Sequence, residues 1–332
     1  MRFTVFAAAL AASALPAAAD ERPELTVYTY ESFVTEWGPG PIVEAAFEAQ
    51  CGCDLTFVPA GDGAALLARL RLEGDRTDAD VVLGLDTNLT AAAAETGLFA
   101  PHGRDDAVLD LPVGWEDPLF LPYDWGYFAF VYDKTRLPEP PASFEDLIAA
   151  PEDLKIVIQD PRSSTPGLGL LLWVKAAYGD RAPEIWEGLA PHILTVTKGW
   201  TESYGMFIDG EADMVLSYTT SPAYHLIAEE DYTKAAARFD EGHYLQIEVA
   251  GIVASSDQPE LARQFLDFML TEPFQAAIPT TNWMYPAVTP EAGLPAGYQT
   301  LIRPETALIF PADEAAEVRD EALAEWRDAL SR

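Results

Sequence analysis

Aromatic rings at the ends of strands are the residues of this chain best equipped for chemistry. The stretch 199–224, GWTESYGMFIDGEADMVLSYTTSPAY, sets Trp200, Tyr218 and Tyr224 around a short helix and a strand end. In an acidic protein, rings brought to the mouth of a cleft can hold an organic cation by their π faces. Three more rings occupy comparable places. Tyr30 closes the alternating strand 25–30 (LTVYTY), Trp37 precedes the turn Gly38-Pro39-Gly40, and Trp283 lies in 278–286 (IPTTNWMYP), which reads as a loop reaching the cleft. Any one of these rings reads as well as core filling or as a staple at a helix start. Their recurrence at strand ends in both halves is not what core filling produces.

Polar candidates stand at helix starts. Asp62 is placed to cap the helix 64–73, leaving the N–H groups of Gly63 and Ala64 for an anion or a polar ligand group, although capping alone accounts for Asp62. In DPRSSTPG, Thr165 before Pro166 reads as the cap and first residue of a helix running to Tyr178. Ser163, Ser164 and Thr165 then put hydroxyls at a positive helix end, suited to phosphate or a ligand hydroxyl. Capping explains one of the three.

The elements that position these groups alternate. Strand 25–30, helix 41–50, strand 55–58, helix 64–73 and strand 80–85 form a β-α-β-α-β run, a doubly wound unit whose ligands gather beyond the carboxyl ends of the strands. Residues 119–133 read as a long strand bent at Asp124-Trp125-Gly126, and 244–254 as a second long strand with Gly251 inside it. Both are natural crossovers between lobes. Between them come a helix at 143–150 capped by Ser143, strands 155–159 and 193–197, a helix over 201–209 and strand 214–218, with Tyr224 ahead of a further helix. Helix 259–271 and a terminal helix 312–330, acidic in its first half, complete the chain. Lobe 1 is expected over 20–122 and about 253–332, lobe 2 over about 123–252.

The bulk numbers agree. Residues 1–19 read as a secretory signal, with Arg2, an apolar 3–15 run and an A-x-A site cleaved near Ala19. The remaining ~313 residues exceed what one core usually serves, and no later run is long and apolar enough to span a bilayer. A formal charge of −34 excludes nucleic acid as a partner, because phosphates would be repelled over the whole surface. That charge favours a cationic ligand, or it is simply a solvated surface suited to a salty habitat. The only cysteines, Cys51 and Cys53, are either a tight disulfide or two thiols in a turn. No histidine cluster suggests a metal, and nothing in the chain calls for a cofactor.

With those residues in view, the chain resembles the periplasmic thiamine-binding proteins that feed ATP-driven importers. The motifs run in order over nearly all of the mature chain: LTVYTY-x-SF, WGPGP, DVVLGLD-x-NL, QDPR-x-STPGLGLLLW, VTKGW, LSYTTSPAYH, EGHYLQ and IPT-x-NWMYP. The resemblance implies an α/β, two-lobed (type II) periplasmic binding protein with doubly wound sheets and a cleft between lobes. It implies a monomer in the periplasm that carries thiamine, its monophosphate and its diphosphate to the membrane permease of an ABC importer. Carried over by motif, the ligand-binding positions are Tyr30, Trp37, Asp62, Gly63, Ser164, Thr165, Trp200, Tyr218, Tyr224 and Trp283.

Two other readings use the same general fold. A thiamine-cleaving enzyme needs a cysteine nucleophile in the cleft, whereas both thiols here follow the first helix, and no Ser-His-Asp set stands out. A ferric-ion carrier uses clustered tyrosines, whereas Tyr218 and Tyr224 are separated by Pro222.

Overall fold

The structure, a computed structural model, describes residues 22–331. The expected signal segment 1–19 and its cleavage site lie outside the described residues.

Residue alternation dictates the first layers. The chain winds through β1 (Glu24–Thr29), α1 (Gly40–Cys51), β2 (Asp54–Pro59), α2 (Gly63–Glu73), β3 (Val81–Asp86), α3 (Thr90–Ala94) and β4 (Phe99–Ala100). β1 pairs in parallel with β2 and with β3. Leu25 and Val27 point into one apolar core and Tyr28 into the other, because successive strand residues face opposite sides. The remaining elements are β5 (Phe120–Asp133), α4 (Phe144–Ala149), β6 (Ile156–Gln159), α5 (Thr165–Tyr178), α6 (Ala182–Leu189), β7 (Ile193–Thr197), α7 (Trp200–Ile208) and β8 (Met214–Tyr218). After them come α8 (Pro222–Ala228), β9 (Lys234–Ala236), β10 (His243–Val253), α9 (Pro259–Met269), α10 (Glu272–Gln275), β11 (Tyr285–Pro286), β12 (Ala307–Leu308) and α11 (Ala312–Leu330).

The strands run in the order β2-β1-β3-β10-β5-β8-β6-β7. β6 is parallel to β7 and β8, whereas β10 is antiparallel to β3 and β5, and β5 is antiparallel to β8. The two long strands expected as crossovers are thus neighbours at the centre, joining the parallel groups β2-β1-β3 and β8-β6-β7.

Two bulges interrupt this centre. Opposite Val249 and Ala250 of β10, strand β3 skips from Leu85 to Leu83 and leaves Gly84 unpaired. Opposite Glu248 and Val249, strand β5 skips from Asp124 to Pro122 and leaves Tyr123 unpaired. A bulge re-aims the side chains around it. Gly84 has φ +109°, and a Cβ there would stand 2.3 Å from the ring of Tyr30, so only glycine lets that ring lie over the strand.

One core runs along a whole face of the sheet, from Leu66 and Leu70 of α2 through Phe128 to Leu171, Trp173 and Trp186. A second, on the other face of the first half, packs Phe33 and Phe47 with Phe265 and Phe268. α9 supplies Leu261, Ala262, Phe265, Leu266, Phe268 and Met269 at helical spacing. The terminal α11 packs on α5 and α6 and also on α3, so it bridges the two parallel groups; Lys175 on α5 is paired with its Glu325 at 2.7 Å. Cys51, the last residue of α1, is joined to Cys53 in a disulfide.

Gly84→Ala is expected to lower the stability to urea by roughly 2–4 kcal/mol, from the positive φ and the ring contact together. Gly205→Ala, on α7 with nothing within 4 Å of its added methyl, is expected to raise it by about 0.5–1 kcal/mol. Equal effects of the two would contradict the bulge assignment.

Candidate functional site

Beyond the carboxyl ends of β1 and β8 lies a cavity of about 590 Å³, within the range of roughly 300–1,000 Å³ typical of small-molecule sites. Tyr30, Trp37, Asp62, Thr165, Trp200, Tyr218, Tyr224 and Trp283 all line it. Gly63 and Ser164 do not.

The rings are held from behind. Trp200 begins α7 and stacks on Tyr204 one turn later, centroids 4.8 Å apart, while its indole N–H donates to Ser217 Oγ at 2.7 Å. Trp37 is half exposed at the rim, 6.5 Å from Trp200. Tyr218, at the end of β8, stacks on Phe128 at 5.2 Å. Tyr224 lies inside α8 instead of preceding a helix, because Pro222 takes an early helical position there. It meets Trp283 edge-on at 5.4 Å and donates its hydroxyl to Glu229 at 2.9 Å. Trp283 is not in an open loop: a π-helical turn over Ile278–Asn282 precedes it, and its own backbone is left-handed at φ 57°. Such a conformation costs a bulky residue about 1–3 kcal/mol and survives only where the surroundings impose it.

The helix starts behave differently from the sequence expectation. Asp62 occupies the N-cap of α2, yet its side chain makes no cap bond. It accepts instead from Ser164 Oγ at 2.7 Å and from the Trp200 backbone N–H at 3.3 Å. Ser164, not Thr165, is the N-cap of α5, and Pro166 is the second helical residue. Thr165 Oγ1 accepts the Gly63 N–H at 3.1 Å. The donors proposed for a ligand tail at Gly63 and Ser164 therefore satisfy acceptors on the facing element. Gly63 has a packing reason of its own, since a Cβ there would come within 2.8 Å of both Thr165 Oγ1 and the Gly84 carbonyl. Burial raises the Asp62 carboxyl, the two hydrogen bonds oppose the rise, and Glu31 adds to it.

Acidic groups dominate the electrostatics. Asp62, Asp209, Glu229 and Glu248 line the cavity, and no lysine or arginine does so among the described residues. Glu248 is the group that the sequence reading missed. It accepts from Tyr123 at 2.7 Å and Tyr30 at 3.1 Å on one oxygen, and from Gln246 at 2.8 Å on the other. Burial nevertheless pushes its carboxyl up. Its register partners are Asp86 on β3 and Asp124 on β5. Burial also pushes Asp86 up, to about 7, with Glu248 adding to the effect. A carboxylate at the centre of the apolar strand HYLQIEVAGIV was the available signal, as was Tyr204 at i+4 from Trp200.

The one His-carboxylate group among the described residues that could meet around a metal is His225, Glu229 and Asp231. His225 is already bonded to Glu229 at 2.6 Å and Tyr204 at 2.9 Å, and the Lys234 ammonium stands 3.0 Å from Asp231. Its visible work is to brace the rings.

A profile of the bacterial extracellular solute-binding proteins matches residues 35–276. The chain belongs to that family. It is 54% identical over 311 residues to the thiamine-binding periplasmic protein of Escherichia coli (strain K12), covering 94% of each chain. A solved structure described as a periplasmic thiamin binding protein superposes with a TM-score of 0.92 at 54% identity, covering 96% of this chain and 100% of that one. Iron-bound HitA from Pseudomonas aeruginosa matches at a TM-score of 0.74 and 21% identity, covering 92% and 99%. These likenesses bear out the type II periplasmic binding protein fold and the family named from the motifs. A solute-binding protein is a carrier and not an enzyme, and the cysteines that an enzyme reading required are bonded to each other.

Asp86 yields a pH test. Its carboxyl, ordinarily near about 3.9 in an unfolded chain, stands at about 7 in the fold. The folded state therefore holds the proton more tightly, and this contribution is full below about pH 4 and lost as pH rises through about 7. Urea unfolding should show Asp86→Asn gaining on the parent protein by on the order of 4 kcal/mol over that window. A constant difference at every pH would contradict the assignment.

Proposed function

We propose that this solute-binding protein captures thiamine in the aromatic cavity and hands it to the membrane permease of an ABC importer from the periplasm. The observation that carries the reading is the pairing of an aromatic lining with acidic groups and, among the described residues, no basic side chain, in a chain 54% identical to a thiamine-binding periplasmic protein. A thiazolium is a flat ring with a permanent positive charge, so each well-placed indole or phenol face contributes about 0.5–2 kcal/mol once water is excluded. The aminopyrimidine adds a second flat face with hydrogen-bonding edges, for which Ser32, Asn282 and Thr281 are at hand.

The ligand set is proposed as Tyr30, Trp37, Asp62, Thr165, Trp200, Tyr218, Tyr224 and Trp283, with Gly63 and Ser164 behind them. The monophosphate and diphosphate are further ligands in this account. For them the Gly63 N–H and the Ser164 hydroxyl turn from Thr165 and Asp62 to the phosphate, where two helix starts supply donors. The lobes, 20–122 with about 253–332 and about 123–252, close around the ligand by bending β5 near Trp125 and β10 near Gly251. The carrier works as a monomer.

Titration calorimetry tests the reading. Thiamine should bind with measurable heat, and Trp200→Ala should weaken it roughly tenfold or more. Cys51→Ser, on the disulfide at the end of α1, should leave the affinity nearly unchanged. Absence of heat with thiamine and both phosphates, or equal losses in the two variants, would contradict it.

A further inference from the structure

We propose that Glu248 and Asp124 form the counter-ion site for the organic cation, holding one proton between them in the ligand-free protein and releasing it to solvent when the cation binds. This rests on the cation reading of the cavity and goes beyond the aromatic contacts.

The geometry comes from the central strands. Glu248 of β10 lies directly across from Asp124 of β5 and across from Asp86 of β3, so a row of carboxyl groups spans three neighbouring strands. Asp86 and Asp124 are fully buried, and Glu248 is 6% exposed through the cavity wall. The bulge at Tyr123 turns that phenol onto Glu248 beside Tyr30, and Asn282 donates to Asp124 Oδ2 at 2.6 Å. Asp124 Oδ1 meets no donor despite complete burial, and Asp124 faces Glu248 directly across the β5–β10 register.

Two buried carboxylates side by side cannot both ionise without a compensating charge. Among the described residues the polar groups facing them from the packed elements are neutral or acidic: Tyr30 after β1, Asp86 on β3, Tyr123 on β5, Gln246 on β10, Tyr218 on β8, Asn282 at the end of the π turn and Tyr298 beyond β11. Among the described residues no lysine or arginine bonds to either carboxyl. The field of Arg319 on α11 reaches the row, and it acts on Asp86. A proton bridging Asp124 Oδ1 to Glu248 satisfies the orphaned oxygen and removes one charge. Burial and the charge of Glu248 hold the Asp124 carboxyl well above its ordinary range, and burial raises that of Glu248 against the hydrogen bonds it accepts.

When a cation enters over Glu248, its charge replaces that of the proton. The Asp124 O–H bond breaks, the proton passes to the buffer, and two carboxylates remain to face one fixed positive charge. Net charge at the site is unchanged, so binding costs no separation of charge in a poorly hydrated floor.

The test is titration of thiamine into the mature protein in buffers of differing ionisation enthalpy at about pH 7. The dependence of observed heat on buffer should report close to one proton released per thiamine. Asp124→Asn should bring that release close to zero, and Glu248→Gln should abolish it and weaken binding about tenfold or more. Thiamine binding without buffer dependence in the parent protein would overturn the inference and leave the thiamine reading standing. So would proton release that survives both substitutions. Failure of thiamine to bind at all would overturn both.

Discussion

Strands β5 and β10 pair in antiparallel register from Phe120–Gly251 to Tyr127–Leu245, and the cavity depends on what that pairing forces together. It places Glu248 opposite Asp124 at the centre of the sheet, in a position where an unpaired carboxylate would cost several kcal/mol. The surrounding chain supplies the compensation. The unpaired Tyr123 reaches Glu248, Gly84 gives way to the ring of Tyr30, and Tyr30 donates to the same oxygen. These are neutral donors, so the oxygens of Glu248 are satisfied while the negative potential of the floor is left uncancelled for a cation.

The walls follow from the strand ends around this floor. Tyr30 leaves β1, Tyr218 ends β8, and Trp200 opens α7 directly after β7. Their rings converge because parallel strands in each group deliver their carboxyl ends to one side. Rigidity comes from behind, where Tyr204, Ser217 and His225 hold Trp200 and the α8 rings. Asp62 ties the start of α2 to α5 and α7 through Ser164 and the Trp200 amide. Those bonds join elements on opposite sides of the central pair. Any opening of the cavity must exchange them for water.

Much of this was legible in the chain. The β-α-β-α-β order, the two long strands and the boundaries of α1 and α2 came within a residue or so, because alternation, caps and Gly-rich turns are local signals. Ser143 caps α4 as its position indicated, accepting from Asp146 N–H at 2.9 Å. The ring positions were readable for the same reason, since a strand end is marked by where alternation stops. What could not be read depends on pairing. The bulges at Gly84 and Tyr123, the row through Asp86, Glu248 and Asp124, and the engagement of Gly63 by Thr165 all require knowing which strand or helix lies next to which. Glu248 alone signalled its place, as an acid inside an apolar strand. Tyr224 was misplaced relative to its helix because Ser-Pro reads as a turn and as a helix start alike.

The central claim is that a flat cation lies among rings from both parallel groups, directly above a buried carboxyl pair. A crystal structure of the protein with thiamine tests this most directly. The account predicts both heterocycles within the cavity, faced by Trp200, Tyr218, Tyr224 and Trp283, with the thiazolium over Glu248. Thiamine bound outside these rings, or with its hydroxyethyl end over Glu248 and the thiazolium turned to solvent, would contradict it.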